Sequence, residues 1–269
     1  MKSVLITPEG IQKNLKNIKP LDAICEYIWN GFDAFATQVE VELHRNKMGL
    51  INMITIRDNG CGINYDELKY KFQPFNDSKK ANVSQKTNHT LPHGRKGIGR
   101  LTFFAFSQTA RWDTVYRKDG DTYEYYISMN KDSLNQYDDN GEKLPCKVEK
   151  LTGTKVSFTQ LESMEKEDII NKIKEEFFGF LELNKENDYK IIVNKECIDY
   201  SDFVEHTENM DVSKYGCKEM YDVRFVQWKQ KLGNEYSRIY YLGSDNKERY
   251  KETTKLNKKS RPFFFIACI

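Results

Sequence analysis

The chain has 269 residues, 30% of them charged, and a formal net charge of only +2. That balance gives no electrostatic reason to expect bulk nucleic-acid binding, and no apolar run approaches the roughly 20 residues that cross a bilayer. The polar start MKSVLITPEG does not read as a signal peptide, so the cytoplasm is the expected compartment, and the length suits one large or two modest domains.

Residues 3–19 are mixed and weakly helical, and Pro20 then suits the first position of a helix over residues 21–36, LDAICEYIWNGFDAFA. Leu21, Ile24, Cys25, Ile28, Trp29, Phe32 and Phe35 fall on one broad apolar arc. Glu26, Asn30 and Asp33 follow at spacings of four and three, and the helix carries no Lys or Arg to pair with them. Such oxygen donors suit a divalent cation that keeps places for waters and substrate phosphates; they also suit a solvated acidic edge. Val39, Val41 and Leu43 then alternate with polar residues as a strand, RNKMG reads as a hairpin loop, and residues 51–56 form a second strand. That strand runs into Asp58-Asn59-Gly60-Cys61-Gly62, which places a fixed carboxylate beside backbone that a flat ligand can approach; DNG is equally a common turn.

Residues 64–93 are polar and without sustained period, as in a functional lid or a disordered loop. They end at Gly94-Arg95-Lys96-Gly97-Ile98-Gly99-Arg100, followed by LTFFAFSQ, which reads as a buried helix. Glycines opening a helix offer free amides to an anion, and Arg95, Lys96 and Arg100 add positive charge. The pattern is neither the Walker motif nor the dinucleotide fingerprint. Strand-like runs over residues 110–116 and 122–129 are joined by Lys118-Asp119-Gly120, a hairpin signal. After a polar loop near 131–143, Leu151-Thr152-Gly153-Thr154 leads into an alternating strand. An amphipathic helix over 165–183 follows, with Ile169, Ile170, Ile173, Phe177, Phe178 and Leu181 on its apolar side.

The expected domain boundary lies near Asn184, giving domains 1–184 and 185–269. The second part is strand-rich, with a basic stretch over 247–261, and stops at the apolar RPFFFIACI, a run that belongs inside a sheet and suggests an excerpt of a longer protein. The six cysteines are scattered without a CxxC pair and read as reduced thiols; the four histidines stand in no metal or nucleophile pattern.

Four motifs thus stand in order: ExxxNxxDA at Glu26, DNGCG at Asp58, GRKGIGR at Gly94 and TGT at Thr152. Their order and spacing, over about residues 5–183, resemble the GHKL ATPase family of gyrase B subunits, the large heat-shock chaperone, histidine kinases and MutL proteins. The resemblance implies an α+β fold: a two-layer sandwich of mixed β-sheet and helices that holds ATP under a lid, then a smaller α/β transducer-like (S5-like) domain. It implies Glu26 as general base, Asn30 as magnesium ligand and Asp33 supporting that helix face. Asp58 is similar to the family aspartate that receives the adenine amino group, with Gly60 and Gly62 admitting the base and Thr154 holding it through water. Gly94, Arg95, Lys96, Gly97, Ile98 and Gly99 would wrap the phosphates, and Lys255 or Lys258 would reach the γ-phosphate, unless theirs is simply a solvated basic loop.

The expected function is magnesium-dependent ATP binding and hydrolysis, used as a switch that closes a homodimer. Two alternatives stand beside it: a nucleotide-dependent binding module without turnover, and a histidine-type kinase. The kinase is disfavoured by Asp33, where histidine kinases commonly have lysine, and by the lack of a histidine-bearing dimerisation helix in the sequence. The lid is closer in style to chaperone-like and MutL-like members. A downstream domain, DNA or a protein client is the open partner, and no membrane is expected.

Overall fold

The structure is a computed structural model that describes residues 6–75, 98–213, 220–229, 238–243, 248–254 and 264–268. The Thr7 hydroxyl accepts from Gly10 N at 3.2 Å and caps helix α1 (Pro8–Leu15). Helix α2 (Pro20–Asp33) opens on Pro20, where a missing N–H removes no intrahelical bond. It buries Ala23, Ile24, Tyr27, Ile28, Gly31 and Phe32. Phe35, expected on that apolar arc, is instead 57% exposed at φ 64°, because the helix ends at Asp33 and the chain reverses over Ala34. Tyr27 takes part in the core in its place, its ring edge-on to Phe158 at 4.6 Å.

Strands β1 (Gln38–Arg45) and β2 (Ile51–Asp58) form the expected hairpin, with Val39, Val41 and Leu43 turned to the core. Part of the stretch expected to be a structureless lid is ordered: a 3-10 turn at Tyr65–Glu67 runs into the short helix α3 (Leu68–Phe72). Leu68 and Phe72 are buried, and Phe72 meets Trp112 edge-on at 5.5 Å. Two apolar residues four apart suffice for one packed turn, but they are too few to register as a period. The segment after Ile98 differs too, being a 3-10 helix over Gly99–Ala105 that gives way to strand β3 (Ser107–Lys118). Asp119 and Gly120, at φ 52° and 89°, supply the left-handed pair that a two-residue hairpin requires before strand β4 (Asp121–Asn130).

Short strands β5 (Asp138–Asp139) and β6 (Cys146–Val148) pair with β4. Strand β7 (Gly153–Leu161) then enters between β3 and β2, and helix α4 (Lys166–Leu183) leads to β8 (Lys190–Val193) and β9 (Glu196–Cys197). Among the described residues these make a nine-stranded sheet in the order β5-β4-β3-β7-β2-β1-β8-β9, with β6 beside β4. The β1–β8 pair is parallel while its neighbours run antiparallel, so the sheet is mixed. Because β8 hydrogen-bonds to β1, residues beyond 184 return to the large sheet. One compact unit therefore holds the described residues up to 172 together with Lys190–Ile198.

The second unit holds Ile173–Tyr189 and the described residues from 199 onward. Strands β10 (Val204–Ser213), β11 (Met220–Trp228), β12 (Arg238–Leu242), β13 (Glu248–Thr253) and β14 (Phe264–Cys268) form a sheet in the order β10-β11-β14-β12-β13. The apolar FFIAC run is thus an inner strand, as its composition implies. Phe178, Val226, Trp228 and Tyr240 make the core of this unit. At its edge Glu182, 5% exposed, accepts from the Tyr200 hydroxyl at 2.8 Å and pairs with Arg224, so a buried charge is compensated. Among the described residues no helix is long and apolar enough to cross a membrane.

Candidate functional site

Helix α2 builds the site by the closeness of its approach to the strand ends. A Cβ on Gly31 would stand 2.9 Å from Val39 Cγ2 and 3.0 Å from Asp58 Cβ, so glycine is what allows the helix to lie here. Sequence reasoning misses Gly31, although a glycine inside a helix, costing about 1 kcal/mol against alanine, is an available signal.

Among the described residues, Asp58 at the end of β2 is held on one side only. Its Oδ1 accepts from Gly60 N at 2.8 Å and Thr154 N at 3.3 Å. No described donor engages Oδ2, which leaves that oxygen as the acceptor on offer. Burial pushes the Asp58 carboxyl up to about 6, against the pull of the two amides. Near pH 7 it is mainly an anion, held at some desolvation cost and poised to accept from an N–H donor.

The glycines around Asp58 are explained by backbone crowding. A Cβ on Gly60 would meet Ala34 O at 2.5 Å, and one on Gly62, at φ +73°, would meet Val115 O at 2.1 Å. Gly153, which sequence reasoning leaves out of the site, would place a Cβ 2.3 Å from Asp58 O. Cys61 N donates to Ala34 O at 2.9 Å, tying the turn to the end of α2. Thr154, 7% exposed, lies at the start of β7 with its hydroxyl 3.1 Å from that of Thr114. Thr114 is missed as well, though a threonine at the inward position between Trp112 and Tyr116 is a polar break in an apolar alternation.

One turn back along α2, Glu26 and Asn30 converge on Gly99. A Cβ at Gly99 would stand 3.2 Å from Glu26 Oε2 and 3.7 Å from Asn30 Nδ2. Tyr27 OH donates to Arg100 O at 2.8 Å, and Thr102 Oγ1 donates to Gly99 O at 2.8 Å, so this meeting is fixed from both sides. Ile98 is half-buried and precedes the 3-10 helix, its carbonyl accepting from Leu101 N. Arg100 donates to Pro74 O at 2.6 Å and lies over the Phe72 ring. Asp33, half-buried, is the last residue of α2. Gly94, Arg95, Lys96, Gly97, Lys255 and Lys258 lie outside the described residues, as does the expected lid beyond residue 75.

Among the described residues no three His, Cys, Asp or Glu side chains converge as a metal cage. The oxygen donors at hand are those of Asn30 and Glu26 around Gly99, a set that fits a magnesium ion taking most of its ligands from water and phosphate.

Residues 18–170 match the family model of the histidine kinase-, DNA gyrase B- and HSP90-like ATPases. The chain belongs to this family. Seventy-nine residues are 39% identical to a putative MutL protein homolog 1 of Schizosaccharomyces pombe, covering 29% of this chain and 11% of that protein. A 120-residue segment is 28% identical to a putative type II restriction enzyme, HgiDII, of Herpetosiphon aurantiacus, covering 44% and 17% of the two chains. The DNA mismatch repair protein MutL of Escherichia coli (strain K12 / DH10B) is 37% identical over 65 residues, 24% of this chain and 10% of that one. The matched segments therefore span less than a fifth of these relatives. The ATPase region of Saccharomyces cerevisiae topoisomerase II shares the fold, with a TM-score of 0.51 at 14% identity over 92% of this chain and 72% of that one.

Proposed function

We propose that this ATPase-family chain binds ATP with magnesium and hydrolyses it, and that the nucleotide acts as a switch closing a homodimer. The observation that carries this reading is the fixing of Asp58 Oδ1 by two backbone amides, with no donor on Oδ2 among the described residues. An acceptor beside a close-packed glycine turn suits the exocyclic amino group of adenine, and guanine would present a carbonyl oxygen at the corresponding position.

Glu26 and Asn30, brought together at Gly99, would serve the triphosphate end. Phosphoryl transfer to water asks the protein mainly for positioning and charge stabilisation. Magnesium, when bound, would neutralise phosphate charge and orient the terminal group, with Asn30 as its side-chain ligand. Glu26 would orient the attacking water and accept its proton. Asp33 would support that face of α2, and Thr154 would hold adenine through water. The remaining phosphate contacts are proposed for Gly94, Arg95, Lys96, Gly97, Ile98 and Gly99, with Lys255 or Lys258 reaching the γ-phosphate from a transducer-like second domain. The mismatch-repair and restriction relatives lead us to extend the proposal to a switch that serves DNA processing; phosphate release with and without duplex DNA tests that extension.

Calorimetry with ATP and GTP, each with and without magnesium, tests the site, and phosphate release tests turnover. ATP should bind in preference to GTP, need magnesium for full affinity, and be hydrolysed. Tight ATP binding without phosphate release would leave a nucleotide-dependent binding module.

A further inference from the structure

We propose that Thr114 is a positioning residue for base recognition, acting through Thr154. The inference rests on the ATP-site reading above and assigns one more residue to it. Thr114 is 1% exposed, on the inward side of β3, and stands opposite Thr154 in the β3–β7 register. Its Oγ1 accepts from Ile63 N at 2.9 Å, lies 3.1 Å from Thr154 Oγ1, and is 3.4 Å from Gly153 O. One hydroxyl thus touches both segments that hold Asp58: the turn running from Gly60 to Ile63, and the start of β7. Ile63 is fixed from its other side as well, its carbonyl accepting from Tyr125 OH at 3.0 Å.

The proton count gives this contact a directional consequence. A hydroxyl has one proton and two lone pairs, and the Ile63 amide already uses one lone pair of Thr114. If Thr114 donates to Thr154, the Thr154 proton is free to point toward a ligand. If it donates to Gly153 O, then Thr154 donates to Thr114 and offers lone pairs outward. Either way Thr114 takes up one side of the Thr154 hydroxyl and narrows its orientations before a base arrives, which is partial pre-organisation of the recognising group. Valine would match the shape of Thr114 but leave the Ile63 amide without its acceptor and the Thr154 hydroxyl free to rotate.

The test compares the parent chain with Thr114→Val, Thr114→Ser, Thr154→Val and the double valine variant. ATP and GTP affinities are read by calorimetry, steady-state hydrolysis gives KM and kcat, and melting is followed in parallel. Thr114→Val should weaken ATP binding and raise KM about 10-fold, narrow the ATP/GTP preference and leave kcat within about two-fold, because its contacts are to Ile63, Gly153 and Thr154, whereas Glu26 meets Gly99. Thr114→Ser should restore affinity and preference, and the two valine substitutions should be less than additive. A Thr114→Val protein that melts earlier but keeps the parent's affinity and base preference overturns the assignment and leaves Thr114 a purely structural residue. Additive valine effects would also overturn it, since action through Thr154 requires coupling. If the parent chain binds no ATP, the ATP-site reading falls and this inference with it.

Discussion

At the scale of single residues, Asp58 carries a pH signature that needs no nucleotide to detect. Its carboxyl is raised from an ordinary 3.8 to about 6 by burial, so between those values the folded chain holds a proton that the unfolded chain releases. Stability from this group is therefore fully present below about pH 4 and is lost as pH rises through 6. By pH 8 the cost to the native state is on the order of 3 kcal/mol, since a tenfold change in proton affinity corresponds to about 1.4 kcal/mol. Asp58→Asn keeps an oxygen for the Gly60 and Thr154 amides and removes the buried charge. Denaturant titrations should find the variant more stable than the parent at pH 8 and nearly equal at pH 4. Its amide nitrogen would then face the adenine amino group, donor against donor, and calorimetry should show ATP affinity lowered by about 10-fold or more. A variant stabilised equally at both pH values would refute the burial argument, and undiminished ATP affinity would refute the assignment to adenine.

At the scale of elements, the site depends on how closely α2 lies on β1 and β2. Gly31→Ala puts a methyl 2.9 Å from Val39 Cγ2 and 3.0 Å from Asp58 Cβ, so the helix or the Val39 and Asp58 side chains must give way. Overpacking of this kind costs about 1–3 kcal/mol, and we expect earlier thermal unfolding together with weaker ATP binding, since the same adjustment falls at Asp58. Full ATP affinity in a destabilised Gly31→Ala protein would show that the helix does not position the site. The elements themselves are mostly legible in the sequence, because alternation in β1 and the Asp119-Gly120 turn are local signals. The bracketing of Asp58 is not, since Gly153 meets Asp58 itself, and Ala34 and Thr114 meet the turn from Gly60 to Ile63 beside it, only through strand register and backbone approach. The α3 turn reads as loop in the sequence because its burial comes from Trp112, forty residues away along the chain, and not from a repeat of its own.

At the scale of the whole molecule, the proposed switch predicts a change of assembly. A chain that is largely monomeric when empty should shift toward a two-fold dimer with a non-hydrolysable ATP analogue, because a ligand that binds one state better displaces the equilibrium toward it. Sedimentation at fixed protein concentration checks this, and an unchanged monomer under saturating analogue would remove the dimer from the mechanism while leaving ATP binding intact. Hydrolysis of ATP through Glu26 is tested by magnesium-dependent phosphate release from the parent chain and from Glu26→Ala, with ATP binding measured on both. Steady release by the parent is expected, with a fall on the order of 100-fold or more in the variant and ATP affinity changed little. Release by Glu26→Ala at the parent rate would contradict it.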